Sequence, residues 1–247
     1  MNTFEGSTAL VTGATAGIGY AIALELARQG ADVIVHGRNA ERGDKTVQAI
    51  ENVGGRARFV AADLSKADDV RRLAAEAGDV DILINNAGIY EFASTFDTDD
   101  ADFDNHFDIN LRAPYVLVQK LVPGMIERGH GSVVNISTVA ASTPSAEAGL
   151  YGASKAALDL LTKLWADEFG AAGVRVNAIA PGPTETEGTA GLADIVEGLG
   201  RTRALQRIAG PDEIARAVAF VASPAASYIN GVVLPVDGGA LALRPVA

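Results

Sequence analysis

The sequence predicts an α/β fold built on one mainly parallel sheet, and three observations carry that expectation. Short β-branched runs alternate with longer amphipathic segments along all 247 residues, the mark of repeated βαβ units. With 48% apolar residues, a chain of this length can bury a core around a single sheet. No linker, internal repeat or low-complexity tract divides it, so 1–247 reads as a single domain.

The first strand, 9–12, runs through a glycine-rich turn into a helix from Gly17 to Gln29, where Ile18, Ile22 and Leu26 form an apolar stripe and Gly30 supplies the stop. Strand 32–36 is followed by helix 41–53, weakened by the Gly43 inside it. Strand 57–61 precedes helix 67–77, for which Ser65 is the expected N-cap. After strand 81–85 comes a helical stretch over 100–128 that Pro114 and Pro123 must kink or interrupt. Strand 132–136 leads to a helix from Tyr151 to Gly170. Strand 174–179 leads to segment 182–203, rich in Gly, Thr and Glu and read as a mobile loop or loosely packed helix beside the site. Pro211-Asp-Glu opens the last helix, and 232–236 is the seventh strand.

Composition narrows the function. Twenty Lys and Arg against 31 Asp and Glu give a formal charge of −11, which repels phosphate backbones and anionic lipid surfaces, so neither nucleic acid nor membrane is an expected partner. The absence of cysteine removes a disulfide scaffold and a zinc-thiolate site, and no metal site is expected. The first residues, Met1 to Gly6, show no basic segment followed by an apolar one, and no later stretch reaches the length of a membrane span. A soluble, cytoplasmic protein is expected.

The turn Thr12-Gly-Ala-Thr-Ala-Gly-Ile-Gly19 joins a strand to a helix, the context of a dinucleotide fingerprint with spacing G-x-x-x-G-x-G. Gly13, Gly17 and Gly19, with Thr15 and Ile18, would let the backbone approach a pyrophosphate and aim helix N–H groups at its charge; the alternative is a tight turn without a ligand. At the end of the second strand stands His36-Gly-Arg38 rather than an acid. Arg38 there suits a 2′-phosphate, which favours NADP(H) over NAD(H), although a solvated Arg38 is the plainer alternative. NAD(H) stays admissible because no second basic residue sits in the glycine turn. Asp63 and Leu64 are placed to meet an adenine, and Asn86, Ala87 and Gly88, after Asn85, the adenosine half; alternatively Asp63 orders its loop and the asparagines satisfy strand-end backbone. Tyr151 and Lys155, four apart on one helix, share a face, where an ammonium would stabilise a phenolate and make it a proton relay for a carbonyl taking hydride; on the spacing alone, an exposed Tyr and Lys on a helix surface is the plainer alternative.

In order along the chain come TGATAGIG, NNAG, Asn110 in Asp-Ile-Asn-Leu, Ser137-Thr138, YGASK, Pro181-Gly182 and Val236-Asp-Gly-Gly239. This set resembles the short-chain dehydrogenase/reductase family over essentially the whole chain, and is similar to its 3-oxoacyl-acyl-carrier-protein reductases. The resemblance implies a Rossmann-type three-layer sandwich: a seven-stranded parallel sheet with helices on both faces and NAD(P) as hydride carrier. It implies Tyr151 as acid/base, Lys155 as the group that lowers its pKa and holds the ribose, and Asn110 as holder of a relay water. The orienting hydroxyl falls on Thr138, with Ser137 as the alternative. Pro181, Gly182, Thr184 and Thr186 would lie against the nicotinamide, and 182–203 would form the substrate lid, whose Arg201 and Arg203 either grip an anion or face water, with water the expected outcome.

The implied function is reduction of a carbonyl to a secondary alcohol, or the reverse, on a small molecule or on a 3-oxoacyl thioester carried by acyl carrier protein. The charge of −11 counts against that acidic partner, for which only Arg128, His130 and Arg175 offer a basic patch. The rival reading is a dinucleotide sensor or scaffold with little catalysis, which would not need the Tyr, Lys and Asn set. The resemblance also implies a homotetramer; Leu160, Leu161, Leu164 and Trp165 on the long helix and the apolar tail 240–247 agree, though an internal core could absorb them.

Overall fold

Seven strands pair in parallel in one sheet, in the order β3-β2-β1-β4-β5-β6-β7, in the computed structural model, which describes residues 3–143 and 148–240. They are β1 (Thr8–Val11), β2 (Asp32–Gly37), β3 (Arg56–Ala61), β4 (Ile82–Asn85), β5 (Gly131–Ile136), β6 (Val174–Pro181) and β7 (Val233–Val236). The helices are α1 (Gly17–Arg28), α2 (Ala40–Asn52), α3 (Ala67–Ala77), α4 (Asp100–Phe107), α5 (Ala113–Arg128), α6 (Gly149–Gly170), α7 (Ala193–Arg201) and α8 (Pro211–Ala222). Strand order reverses between β1 and β4, the place where open parallel sheets leave a ligand crevice.

Alternation along the strands divides the core. Leu10, Leu83 and Val133 face a cluster completed by Leu73 of α3, Leu117 of α5 and Leu158 and Trp165 of α6. Ala9, Val11, Ile82, Ile84 and Val134 face the opposite cluster, with Ile22 and Leu26 of α1 and Ile214 and Val218 of α8. Strands covered on both faces need apolar residues at every position, which is why these runs read as continuous rather than alternating. The result is the three-layer sandwich the motifs imply.

Four local expectations change. Gly43 does not weaken α2 but lets it seat: a Cβ there would strike the Phe59 ring on β3. Ser65 does not cap α3, which starts after Lys66; its hydroxyl donates to Asp63 Oδ1 at 2.8 Å instead. The break in 100–128 falls at neither proline. It is a π-helical turn, Asp108–Arg112, while Pro114 sits in the first turn of α5, where no N–H is needed, and α5 continues through Pro123. Segment 182–203 contains a 3-10 turn, Glu187–Leu192, followed by α7. Residues 1–2 and the tail 241–247 lie outside the described residues.

A chain of buried amides ties α6 to the sheet. Asn85 Nδ2 donates to Asn135 Oδ1 at 2.8 Å, Asn135 Nδ2 donates to Thr162 Oγ1 at 2.8 Å, and the Thr162 hydroxyl donates to the Leu158 carbonyl at 2.9 Å. All three side chains are buried, so removing the middle one strands its partners without water. Asn135→Ala should lower stability by about 2–4 kcal/mol in urea denaturation; a loss near zero would mean that the network does not anchor α6.

Candidate active site

The glycine turn is shaped by what it lacks. Gly13 and Gly17 have φ of +64° and +53°, in the left-handed region that disfavours side chains. A Cβ on Gly19 would collide with the Gly13 carbonyl and the Asn86 amide, so only glycine lets α1 begin this close to the end of β4. Asn86 Nδ2 donates to the carbonyls of Thr12 (2.8 Å) and Gly13 (3.2 Å), and the Thr12 hydroxyl accepts from the N–H groups of Asn86 and Ala87, both at 3.0 Å. Thus Asn86 satisfies strand-end backbone, while Asn85 is turned into the core. Thr186 closes over the turn from the other side, its Cβ standing 3.3 Å from where a Gly17 side chain would begin.

His36 holds the turn from below, a role the sequence reading missed. The Gly13 N–H donates to His36 Nδ1 at 3.2 Å, so the neutral ring carries its proton on Nε2, which faces the Ala62 carbonyl at 3.2 Å. Burial lowers its pKa to about 4, opposed by the Ala62 carbonyl and aided by Arg38. Arg38 is exposed at the end of β2 and forms no ion pair among the described residues. Asp63 accepts from the Ser65 N–H (3.1 Å) and hydroxyl, and stands 3.4 Å from Lys66; the Ser65 hydroxyl is the main reason its pKa lies below the usual carboxylate range.

Tyr151 and Lys155 stand on the first turns of α6. Burial raises the pKa of Tyr151 above 10.0, a hydrogen bond with Thr138 opposes the rise, and Tyr90 adds to it. Lys155 is buried and donates from Nζ to the Ile136 carbonyl at 2.8 Å. Its own pKa falls to about 8 through burial, against the pull of Asp159. The ammonium is directed at a carbonyl, and desolvation decides in favour of the protonated phenol.

Thr138 is the hydroxyl that meets Tyr151; its Oγ1 also accepts from the Ala140 N–H at 3.2 Å. Ser137 is buried near the Asp159 carboxyl, whose pKa is raised by burial, with the Ser137 hydroxyl opposing that rise. Asn110 sits inside the π-helical turn. Its Oδ1 accepts from the Ile89 N–H at 2.9 Å, and its Nδ2 donates to the Ile89 carbonyl and to Ser154 Oγ, both at 3.0 Å. The Ser154 hydroxyl in turn donates to the Tyr151 carbonyl at 2.8 Å. Both amide hydrogens of Asn110 are thus spent, and Oδ1 keeps one lone pair. A Cβ at Gly88 would lie 3.0 Å from that oxygen and 3.1 Å from Lys155 Nζ, so a side chain there would crowd both groups.

One cavity of about 760 Å³ is lined by every expected site residue except the fully buried Asn110. Its walls include the glycine turn, Arg38, Asp63, Leu64, Asn86 to Gly88, Ser137, Thr138, Tyr151, Lys155, Pro181, Gly182, Thr184 and Thr186. The volume lies within the range of small-molecule and cofactor sites. A dinucleotide fits these residues: glycines where side chains would fill the cradle, a cation at the ribose end and a buried ammonium farther along. The cavity also takes in Tyr90, Phe92 and Arg203, which the sequence reading either missed or turned to water. The only early signal for the aromatics was their position directly after Asn85-Asn-Ala-Gly88. The rings of Tyr90 and Phe92 stand 6.2 and 6.4 Å from that of Tyr151, both edge-on.

Comparison with known proteins agrees with this geometry. The family described as enoyl-(acyl carrier protein) reductase matches residues 13–240. A solved short chain dehydrogenase/reductase family protein is 52% identical, covering 98% of this chain and 100% of its own, with a TM-score of 0.92. A blue fluorescent protein from a metagenomic library, solved in complex with NADPH, is 35% identical with a TM-score of 0.92, covering 97% of this chain and 100% of its own. The 3-oxoacyl-[acyl-carrier-protein] reductase of Thermotoga maritima is 35% identical over 95% of this chain and 98% of its own. The fold and site define an NAD(P)-dependent oxidoreductase. The chain belongs to the short-chain dehydrogenase/reductase family.

His36 makes stability depend on acid. Its folded pKa of about 4 lies below the ordinary 6.5, so the unfolded chain binds the extra proton first and stability rises with pH between those values. The shift corresponds to about 3 kcal/mol between pH 4 and 6.5. Urea melts at pH 4.5 and 7 should differ less in His36→Gln than in the wild type; an unchanged difference would assign the acid sensitivity elsewhere.

Proposed function

We propose that this chain is an NADPH-dependent carbonyl reductase, working in either direction on a ketone or secondary alcohol as a single dinucleotide-binding domain. The observation that carries the reading is that one cavity takes in Tyr151, Thr138 and Lys155 and continues to the glycine turn and Arg38. The dinucleotide, when bound, supplies hydride to the carbonyl carbon. Gly13, Thr15, Gly17, Ile18 and Gly19 hold its pyrophosphate, with Arg38 on the 2′-phosphate and Asp63 and Leu64 at the adenine. Asn86, Ala87 and Gly88 line the adenosine half, and Pro181, Gly182, Thr184 and Thr186 the nicotinamide. Lys155, with Ile136 already fixing one of its three donors, grips the ribose.

Tyr151 gives its proton to the substrate oxygen, and burial suits it to that task because the phenol stays protonated at neutral pH. Thr138 holds the same oxygen by a second hydrogen bond, and Ser137, facing Asp159, supports the strand end. The free lone pair of Asn110 Oδ1, close to Lys155, is the point where a relay water can sit. A pure sensor would have no use for this set.

A free small molecule is a better substrate than a carrier-bound thioester. The basic residues that a carrier would need are spent within the chain, at the amino ends of the strands, away from the cavity. Arg128 pairs with Asp79 at 3.0 Å and Asp81 at 3.4 Å, and His130 stands near Asp81. Arg175 donates to the carbonyls of Val221, Ala222, Ser223 and Ile229. A homotetramer in the cytoplasm completes the proposal. Trp165 is buried and Leu161 packs on the core, but Leu160 (69%) and Leu164 (54%) remain exposed one turn apart on α6. Among the described residues no helix is long and apolar enough to cross a membrane.

Three measurements test this. Tyr151→Phe should cut kcat by about a hundredfold or more while leaving the Kd for NADPH within about twofold. Thr138→Ala should lower turnover far more than Ser137→Ala, and the reverse order would move the orienting role to Ser137. Arg38→Gln should raise the KM for NADPH by about tenfold and leave that for NADH unchanged, the loss expected for a charge-assisted pair; equal changes for both cofactors would remove Arg38 from the 2′-phosphate.

A further inference from the structure

Four charged side chains line the cavity: Arg38, Asp63, Lys155 and Arg203. Three have work in the reading above, and the fourth does not. Arg203 follows α7, its backbone N–H bonded to the Gly200 carbonyl at 3.0 Å. Its stem crosses Gly238 just beyond β7, where a Cβ would stand 3.4 Å from Arg203 Cβ. Its Nε is buried with no hydrogen-bond partner, and its guanidinium forms no ion pair among the described residues. The arginines on either side are spent: Arg201 pairs with Glu197 at 2.8 Å and Arg207 with Glu213 at 2.7 Å. In a chain carrying 31 acids, a half-buried arginine that lines a cavity without an ion pair among the described residues is a cation able to take an anionic ligand there.

That counter-ion is not the cofactor's 2′-phosphate. Arg38 ends β2 and Arg203 lies beyond β7, five strand positions away, about 24 Å at the usual spacing. The cavity wall includes the rings of Tyr90 and Phe92, edge-on to Tyr151, and the apolar side chains of Val139, Ala148, Val196 and Leu199. We infer that the substrate is an oxo acid: a flat, apolar body with its ketone at Tyr151 and a carboxylate at Arg203, so that Arg203 sets the specificity of the carbonyl reaction proposed above, on which this inference rests. Reduction then takes one hydride from NADPH to the carbonyl carbon and one proton from Tyr151 to the oxygen, giving a hydroxy acid and NADP⁺ with the carboxylate unchanged.

The test measures binding of oxo acids and their methyl esters to the enzyme–NADPH complex by calorimetry, using 4-acetylbenzoate, 4-oxo-4-phenylbutanoate and 4-oxopentanoate. The wild type should bind at least one acid about tenfold more tightly than its ester, as expected for a charge-assisted pair. Arg203→Gln should erase that preference, Arg203→Lys should keep part of it, and the Kd for NADPH should not change in either. Equal binding of acids and esters by the wild type overturns the inference. So does a loss in Arg203→Gln that falls alike on acid and ester, or on NADPH. Oxidation of NADPH by the neutral esters, followed in parallel, reports on the carbonyl reading by itself: its persistence in Arg203→Gln keeps that reading whichever way the acids behave.

Discussion

The close approach of the Gly13–Gly19 turn to the end of β4 is the constraint on which the rest depends. α1 can start where it does only because Gly19 has no side chain to meet the Gly13 carbonyl, and Asn86 closes the contact by bonding the two carbonyls that the turn exposes. From that point α1 leaves toward one face of the sheet and the chain after β4 toward the other, which opens the crevice at the strand-order reversal. His36 extends the same contact to β2 and β3 by accepting from Gly13 and facing Ala62. Four strand ends are thereby held in one arrangement by three polar side chains, those of Thr12, His36 and Asn86.

Burial sets the chemistry of the groups beyond that crevice. For Tyr151 it outweighs the hydrogen bond from Thr138, and for Lys155 it outweighs Asp159, so both move toward their neutral forms. The outcomes differ because the starting points differ. A phenol that ordinarily titrates at 10.0 becomes more firmly protonated, whereas an amine lowered to about 8 is still mostly charged at neutral pH. The pair thus presents one proton donor and one cation side by side. The Asn110–Ser154–Tyr151 chain fixes where α6 presents them, using the π-helical turn to bring Asn110 inward.

The sheet was legible because strands buried on both faces leave apolar runs, and the site because its residues follow those runs at their carboxyl ends. Gly13, Arg38 and Asn86 could be placed by that rule, Tyr151 and Lys155 by their spacing on one helix, and Thr138 by the family resemblance. What stayed hidden depended on distance in sequence. Nothing near Gly43 announces Phe59, nothing in Ser65 reveals that Asp63 will take its hydroxyl, and the prolines of 100–128 masked a break that falls where Asn110 pairs with Ile89. His36 was visible in the motif but its direction was not. Burial, tautomer and partner are properties of the folded neighbours. For Arg203 the sequence left an anion contact and water both open, because the Gly238 surface on which it lies is distant in sequence.

The placement of charge has a kinetic consequence. The chain as a whole is strongly acidic, yet the cavity lining holds three cations and one carboxylate. Screening in physiological salt limits the reach of that local field to about 8 Å. A long polyanion meets the negative exterior along most of its length and is turned away, whereas a compact anion can come within that distance of the mouth and feel the opposite sign. The molecule is therefore a filter by size of charge distribution, admitting small anions at rates that fall as ionic strength rises.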